Sequence, residues 1–346
     1  MKKIVIITLL SFAVSILYAQ KITLKVLQFN IWMEGTEITN GFDGIVNEII
    51  KSDVDVVTFN EVLNNNKTRF NDRIVKSLKE KGKTFYSFYS DDSGILSKYP
   101  IIHSTSIYPV NVDTGSIYKA IIKVGGTKIV IYSSHLDYQQ YAPYLPRGYN
   151  GNDWTKMEKP VTDLDSILSN TLSSKRLDQI KTVIADAEKE FKKGNSIIIG
   201  GDFNEPSHFD WEKSTKNLFD HNGVIVPWPV SKLLLKFGYI DSYRQMFPNP
   251  VTHPGFTYPI DNPAADIKKL TWAPDADERE RIDFIFYKPK KGLILKQVSI
   301  LGPKGCIIKG KREEEKSLDN FILPYSVWPS DHKAVIATFE LTMEHY

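Results

Sequence analysis

Six apolar runs in this chain end in, or enclose, side chains capable of chemistry. Ile22 to Phe29 runs into Asn30, Val54 to Phe59 into Asn60-Glu61, and Lys128 to Ser133 into Ser134-His135-Leu136-Asp137. Ser196 to Ile199 runs into Gly200-Gly201-Asp202-Phe203-Asn204, Asp283 lies inside Ile282 to Tyr287, and Ser330-Asp331-His332 leads into Ala334 to Leu341. Singly, each has a plain reading: an Asp after a strand caps a turn, Asp202 with Asn204 makes an Asx turn, and a strand-end His is satisfied or solvated. Asp283 is harder to place, because a buried carboxylate without a partner costs roughly several kcal/mol and needs an imidazole or a metal. Taken together, the set offers two imidazoles, several carboxylates and two amides for one site. Cys306 is the only cysteine, so any metal must rest on oxygen and imidazole donors.

These residues are far apart in sequence, and strand ends on one rim of a sheet would bring them together. The six runs are short and β-rich, and helical patterns separate them. Ile45, Val46, Ile49 and Ile50 share one helical face. Leu177, Ile180, Ile184, Ala187 and Phe191 repeat at helical spacing from Ser174 to Lys193, and Gly194 suits the stop. Alternation of this kind predicts an α/β fold. Segments 138–172 and 249–276, rich in Pro, Gly, Asn and aromatics, are expected to be long surface loops.

The 346 residues are 42% hydrophobic and 25% charged, a globular balance that disfavours disorder and a membrane bundle. Residues 1–19 carry Lys2 and Lys3, an apolar run from Ile4 to Leu17 and then Ala19, which predicts a signal peptide cut before Gln20 and export to the periplasm or beyond the cell. Losing Lys2 and Lys3 takes Lys plus Arg from 44 to 42, against 41 Asp plus Glu. That balance does not suggest a protein held on nucleic acid by bulk charge alone, and it leaves a local basic groove open. No linker or repeat divides residues 20–346, so a single domain is expected.

With its motifs in order, the chain resembles the endonuclease/exonuclease/phosphatase superfamily of metal-dependent phosphoesterases. The motifs are LQFNIW with Asn30, DVVTFNEV with Glu61, SGILSKYPI, YSSHLDY with His135, GGDFNEP with Asp202 and Asn204, RIDFIFY with Asp283, and SDHKAV with Asp331 and His332. The resemblance spans about residues 22 to 342 and departs at Asn60, where the family usually has Gln. It implies a four-layer α/β sandwich, two mixed β-sheets packed face to face with helices outside.

It also implies roles. Glu61 would be the primary ligand of Mg2+, with Mn2+ a substitute, and Asn30 and Asp331 would lie close to the ion. Asp202 would position or deprotonate the attacking water, and Asn204 would donate to phosphate oxygens. His332 would be the charged donor, oriented by Asp283, and His135 a second donor as in the deoxyribonuclease and sphingomyelinase branches. Asp137 would either meet substrate or begin the loop. The implied substrate is a phosphodiester: a lipid head group, a small ester or nucleic acid. A secreted nonspecific nuclease, a non-catalytic binding module on the same fold and an exported solute-binding protein are the alternatives.

Two features lie outside the motifs. The loop from Tyr138 to Trp154 carries Tyr138, Tyr141, Tyr144, Tyr149, Trp154 and Arg147, and its expected role is to read substrate, with Arg147 as an anion contact beside Tyr138 and Tyr141. Asp275, Asp277, Glu278 and Glu280 are expected to form a solvated turn.

Overall fold

The computed structural model describes residues 21–111 and 114–342, so the leader at 1–19 lies outside the described residues. In chain order the strands are β1 Lys21–Asn30, β2 Val56–Val62, β3 Tyr86–Ser87, β4 Asp92–Ser97, β5 Ile101–Asn111, β6 Gly115–Val124, β7 Thr127–His135, β8 Ser196–Asp202, β9 Ile240–Asp241, β10 Asp283–Tyr287, β11 Leu293–Leu301, β12 Cys306–Ile308, β13 Lys311–Glu313, β14 Phe321–Ile322 and β15 Ala334–Thr342. The helices are α1 Gly41–Ser52, α2 Phe70–Glu80, α3 Leu164–Leu172, α4 Arg176–Lys192, α5 Pro229–Lys236 and α6 Ser242–Met246.

Two mixed sheets pack face to face. One has seven strands in the order β14-β11-β15-β1-β2-β4-β3, and the other six in the order β5-β6-β7-β8-β10-β9. Their strands alternate with period two, so each strand serves two layers. Leu24, Val26, Val56, Ile129, Ile131, Ile198 and Ile285 fill the space between the sheets. Leu27, Phe29, Val57 and Phe59 face outward under Ile45 and Ile49 of α1 and Ile74 and Leu78 of α2. On the other side, Val130, Tyr132, Ile197 and Ile199 pack under Ile180 and Ile184 of α4 and Leu234 of α5. This is the α/β sandwich of four layers that the motifs implied.

All six expected strands are present, and β3 to β6, β9 and β11 to β14 are additional. Lys119 hides β6 from a reading of apolar runs, yet it is buried because α4 supplies Asp186 at 2.7 Å and Glu190 at 3.4 Å. Segments 138–172 and 249–276 are not the surface loops expected. The first contains α3 and a 3-10 turn at Ala142–Arg147, with Tyr141, Tyr144, Leu145 and Tyr149 buried. In the second, Phe256, Tyr258, Ile260 and Leu270 are buried. No helix among the described residues is long and apolar enough to cross a membrane.

Between the sheets the filling changes character along its length. Positions 24 and 26 of β1 are apolar, but 28 and 30 on the same face are Gln and Asn. Likewise 129 and 131 of β7 give way to Ser133 and His135, and 198 of β8 to Gly200 and Asp202. The sandwich is greasy at one end and polar at the other. Close approach of the sheets explains Gly200: a Cβ there would sit 2.3 Å from Thr58 Oγ1 on the opposite sheet.

Candidate active site

Strand register assembles the polar end. His135 pairs with Asp202 across β7 and β8, Asp202 with Asp283 across β8 and β10, and Asn30 with Asn60 across β1 and β2. Three residues separated by up to 148 positions thus stand in a row on one sheet, facing amides from the other. A bulge between Asn60 and Val62 interrupts the β2–β4 ladder, and Glu61 there has φ 67°. Such an extra residue re-aims a side chain. Here Glu61 leaves the strand face and lines the cleft.

Each histidine is held by a carboxylate. His332 Nδ1 lies 2.8 Å from Asp283 Oδ2, and its Nε2 lies 3.8 Å from Asp202 Oδ2. His135 Nδ1 lies 2.7 Å from Asp92 Oδ1, and its Nε2 lies 3.9 Å from the same Asp202 oxygen. Burial alone would strip the proton from His332, but Asp283, Asp202 and Asp331 outweigh it and raise the imidazole to about 10. For His135 burial is outweighed by Asp92, Asp202 and Glu61, again to about 10. Two imidazolium donors therefore converge on one carboxylate. Asp202 itself is pushed up to about 6 by burial and by Asp283, with the histidines pulling the other way.

Asn30 ties the two sheets together by donating to Glu61 Oε1 and Asp202 Oδ2, both at 3.0 Å. Its carbonyl oxygen accepts from Trp32 N. Asn204 has φ 47°, and its backbone N–H closes an Asx turn on Asp202 Oδ1 while its side chain donates to Leu136 O. Asn60, the departure from the family pattern, accepts from Gln28 Nε2 at 2.5 Å and from Asp202 N at 2.9 Å. Its role is packing beneath the site. Asp137 accepts from Lys175 N and Gln139 N, so it braces the start of α4 and the loop rather than the cleft.

The donors suit a hard cation. Asp331 is buried, and its Oδ1 has no hydrogen-bond partner among the described residues. Burial lifts its carboxyl to about 7, His332 works against this, and Glu61 adds to it. An orphaned buried carboxylate oxygen repelled by a second carboxylate is the arrangement a divalent ion resolves. Asp202, Asp283 and His332 also offer ligand atoms within 4.8 Å of one another. Of these, Asp283 and His332 Nδ1 are engaged with each other.

The cleft, about 270 Å³, is lined by the polar residues Glu61, His135, Asp202, Asn204, Asp331 and His332. Trp32, Met33, Tyr138, Tyr141, Tyr144, Trp154, Tyr258, Trp272 and Ile282 supply the aromatic and apolar remainder. Tyr138 and Tyr141 are where the sequence suggested, but Arg147 is not. Its side chain is fully buried, 2.6 Å from Glu280 Oε1, and it also donates to Pro143 O and Phe219 O. A guanidinium spent on an internal carboxylate cannot greet an incoming anion. The acidic run is corrected by the same fact: Asp277, Glu278 and Glu280 are buried and partnered, and only Asp275 is exposed.

Two functional carboxylates escaped the sequence reading. Asp92 orients His135, and the acid pair Asp91-Asp92 just before the SGILS strand was its signal. Glu34 accepts from Leu63 N and Asn64 N and pairs with Arg73, which fixes the chain on both sides of the Glu61 bulge.

Comparison with known proteins agrees with this geometry. An uncharacterized protein, F14F9.5 of Caenorhabditis elegans, is 29% identical over 343 residues, covering 96% of each chain. The solved human nocturnin catalytic domain with bound sulfate is 14% identical with a TM-score of 0.53, covering 94% of this chain and 98% of that one. D. rerio TDP2 complexed with single-strand DNA product is 16% identical with a TM-score of 0.51, covering 92% and 98%. A profile of the Endonuclease/Exonuclease/phosphatase family matches residues 27–332, and the chain belongs to that family.

Proposed function

We propose that this protein is an exported, divalent-metal-dependent phosphoric ester hydrolase that cleaves a phosphodiester by attack of water. The observation that carries this reading is the convergence of two carboxylate-held imidazolium donors on Asp202, beside a buried carboxylate oxygen of Asp331 that lacks a partner. Glu61 and Asp331 would hold Mg2+ or Mn2+, which supplies charge neutralisation and Lewis acidity at the phosphoryl group. Asn30 keeps Glu61 aimed at that position. Asp202 accepts the proton of the attacking water or orients it, and its place between two imidazoliums keeps its charge compensated. His332 and His135 donate to the phosphoryl oxygens as negative charge builds on them. Asp283 and Asp92 hold the far nitrogens, which fixes both rings. Residues 20–346 act as one catalytic unit after removal of the leader at 1–19.

A nonspecific nuclease is less favoured because no Lys or Arg among the described residues lines the cleft. A non-catalytic module is less favoured because Asn30, Glu61, His135, Asp202, Asn204, Asp283, Asp331 and His332 are all retained, and all but Asn30 and Asp283 line one cleft. The test is turnover of bis-p-nitrophenyl phosphate, p-nitrophenyl phosphate, DNA and RNA by the mature protein. Hydrolysis of the small diester that stops in chelator and returns with Mg2+ or Mn2+ supports the proposal. Preference for the monoester would make it a phosphatase, and no turnover of any ester would leave a binding module.

A further inference from the structure

The aromatic half of the cleft draws on both long segments, which Glu278 and Asp275 hold together. Glu278 accepts from Tyr144 Oη at 2.6 Å, from Trp272 N at 3.2 Å and from Ala273 N at 3.0 Å. It thereby clamps segment 138–172 to segment 249–276. In front, the Trp154 and Trp272 rings lie 4.9 Å apart, and Tyr138 lies 6.3 Å from Trp154. Trp272 is 51% exposed, so its ring is available at the mouth. Behind it, Tyr141 is buried, and its hydroxyl and Trp154 Nε1 have no hydrogen-bond partner among the described residues.

Those two orphaned donors restrict what the wall can receive. An acyl chain would leave both desolvated and unpaired, which is costly for buried donors. A quaternary ammonium would use the ring faces and leave the donors equally unmet. A polyanion finds no Lys or Arg among the lining residues. What fits is a flat or puckered neutral ring that stacks on tryptophan and carries acceptor oxygens.

We propose that this wall is the subsite for one neutral, oxygen-bearing ring esterified to the phosphate, so that the substrate class is a small nucleoside or sugar phosphodiester. In it, Trp272 stacks on the ring while Tyr141 Oη and Trp154 Nε1, at the edge of its indole, donate to its oxygens. The proposal rests on the phosphoesterase reading above for its chemistry, but not for its binding.

The test compares p-nitrophenyl diesters that share one leaving group and differ in the other ester: methyl, thymidine 5′ and glucose 6. The ring esters should exceed the methyl ester in kcat/KM by about tenfold or more, since stacking on one aromatic ring is worth that much. Trp272→Ala should erase most of that ratio, and Tyr141→Phe should reduce it without loss of fold. The better of the two ring arms tells a nucleoside from a sugar. In parallel, thymidine 5′-monophosphate and glucose 6-phosphate should quench tryptophan fluorescence where methyl phosphate does not, and Trp272→Ala should abolish the difference. Quenching without turnover of any ester would retain the subsite and remove the catalytic reading. Equal kcat/KM for methyl and ring esters with no selective quenching would overturn the subsite and leave the phosphoesterase standing. A rate enhanced on phosphatidylcholine vesicles without ring preference would overturn it in favour of a lipid.

Discussion

The two halves of the cleft are made in different ways. The polar half stands on strand ends, where a ladder's register fixes each side chain relative to its neighbour: His135, Asp202 and Asp283 lie in one row across β7, β8 and β10. The aromatic half stands mainly on 138–172 and 249–276, where no ladder reaches and a buried ion pair and a buried hydrogen bond do the fixing. Arg147 to Glu280 and Tyr144 to Glu278 are contacts across more than 130 positions. The contrast separates duties. On the proposed reading, a scaffold with rigid register would set the phosphate chemistry, while the two long segments would set what is attached to the phosphate.

Substitutions can break this division. The largest effect belongs to the polar half: His332→Ala or Asp283→Asn should each lower kcat by about 10²–10⁴, the range for a lost acid–base group. Because Asp283 acts through His332, the double variant should lose little more than the worse single one. Additive losses in a kinetic cycle would show two independent roles.

Arg147→Met addresses the aromatic half and should act mainly on stability. Leaving Glu280 buried without its partner should cost about 3–5 kcal/mol, as for other broken buried pairs. Glu280→Gln added to Arg147→Met should recover much of it, read by denaturant unfolding. An Arg147 variant with native stability and a raised KM for every anionic ester would restore the anion-contact role that its burial denies.

A smaller effect concerns pH. Asp202 acts as a carboxylate and titrates at about 6, so the rate should fall as pH drops through that value. His332 and His135 act as imidazoliums and titrate at about 10, so a second fall belongs at high pH. The plateau between them is read from kcat/KM against pH. For stability, Asp331 carries a raised carboxyl. Its contribution is complete below its unfolded value of ~3.9 and is lost as pH rises through about 7. Without metal, Asp331→Asn should therefore raise Tm at pH 8 and leave it nearly unchanged at pH 4.

How much of this the sequence disclosed follows the same division. Polar residues closing β-rich runs were visible because a strand's period of two is visible, and Asp283 announced a partner by its apolar neighbours. The added strands were less visible, as Lys119 of β6 shows: its burial depends on α4 carboxylates about 70 residues away. Arg147 and the run 275–280 misled for one reason. Each reads as solvated charge until its opposite is brought to it, and only the folded chain does that. Asp92 was missed because an acid beside another acid looks like a surface turn.

The central claim is that Glu61 and Asp331 hold a divalent cation that supports ester hydrolysis. Its most direct test is the rate of bis-p-nitrophenyl phosphate hydrolysis as a function of free Mg2+, for the native protein and for Glu61→Gln. The account predicts no rate in chelator, a saturable rise with Mg2+ and, in Glu61→Gln, a half-saturating concentration at least about tenfold higher, as expected when a metal contact is lost. Full activity in chelator, or an unchanged metal dependence in Glu61→Gln, would contradict it.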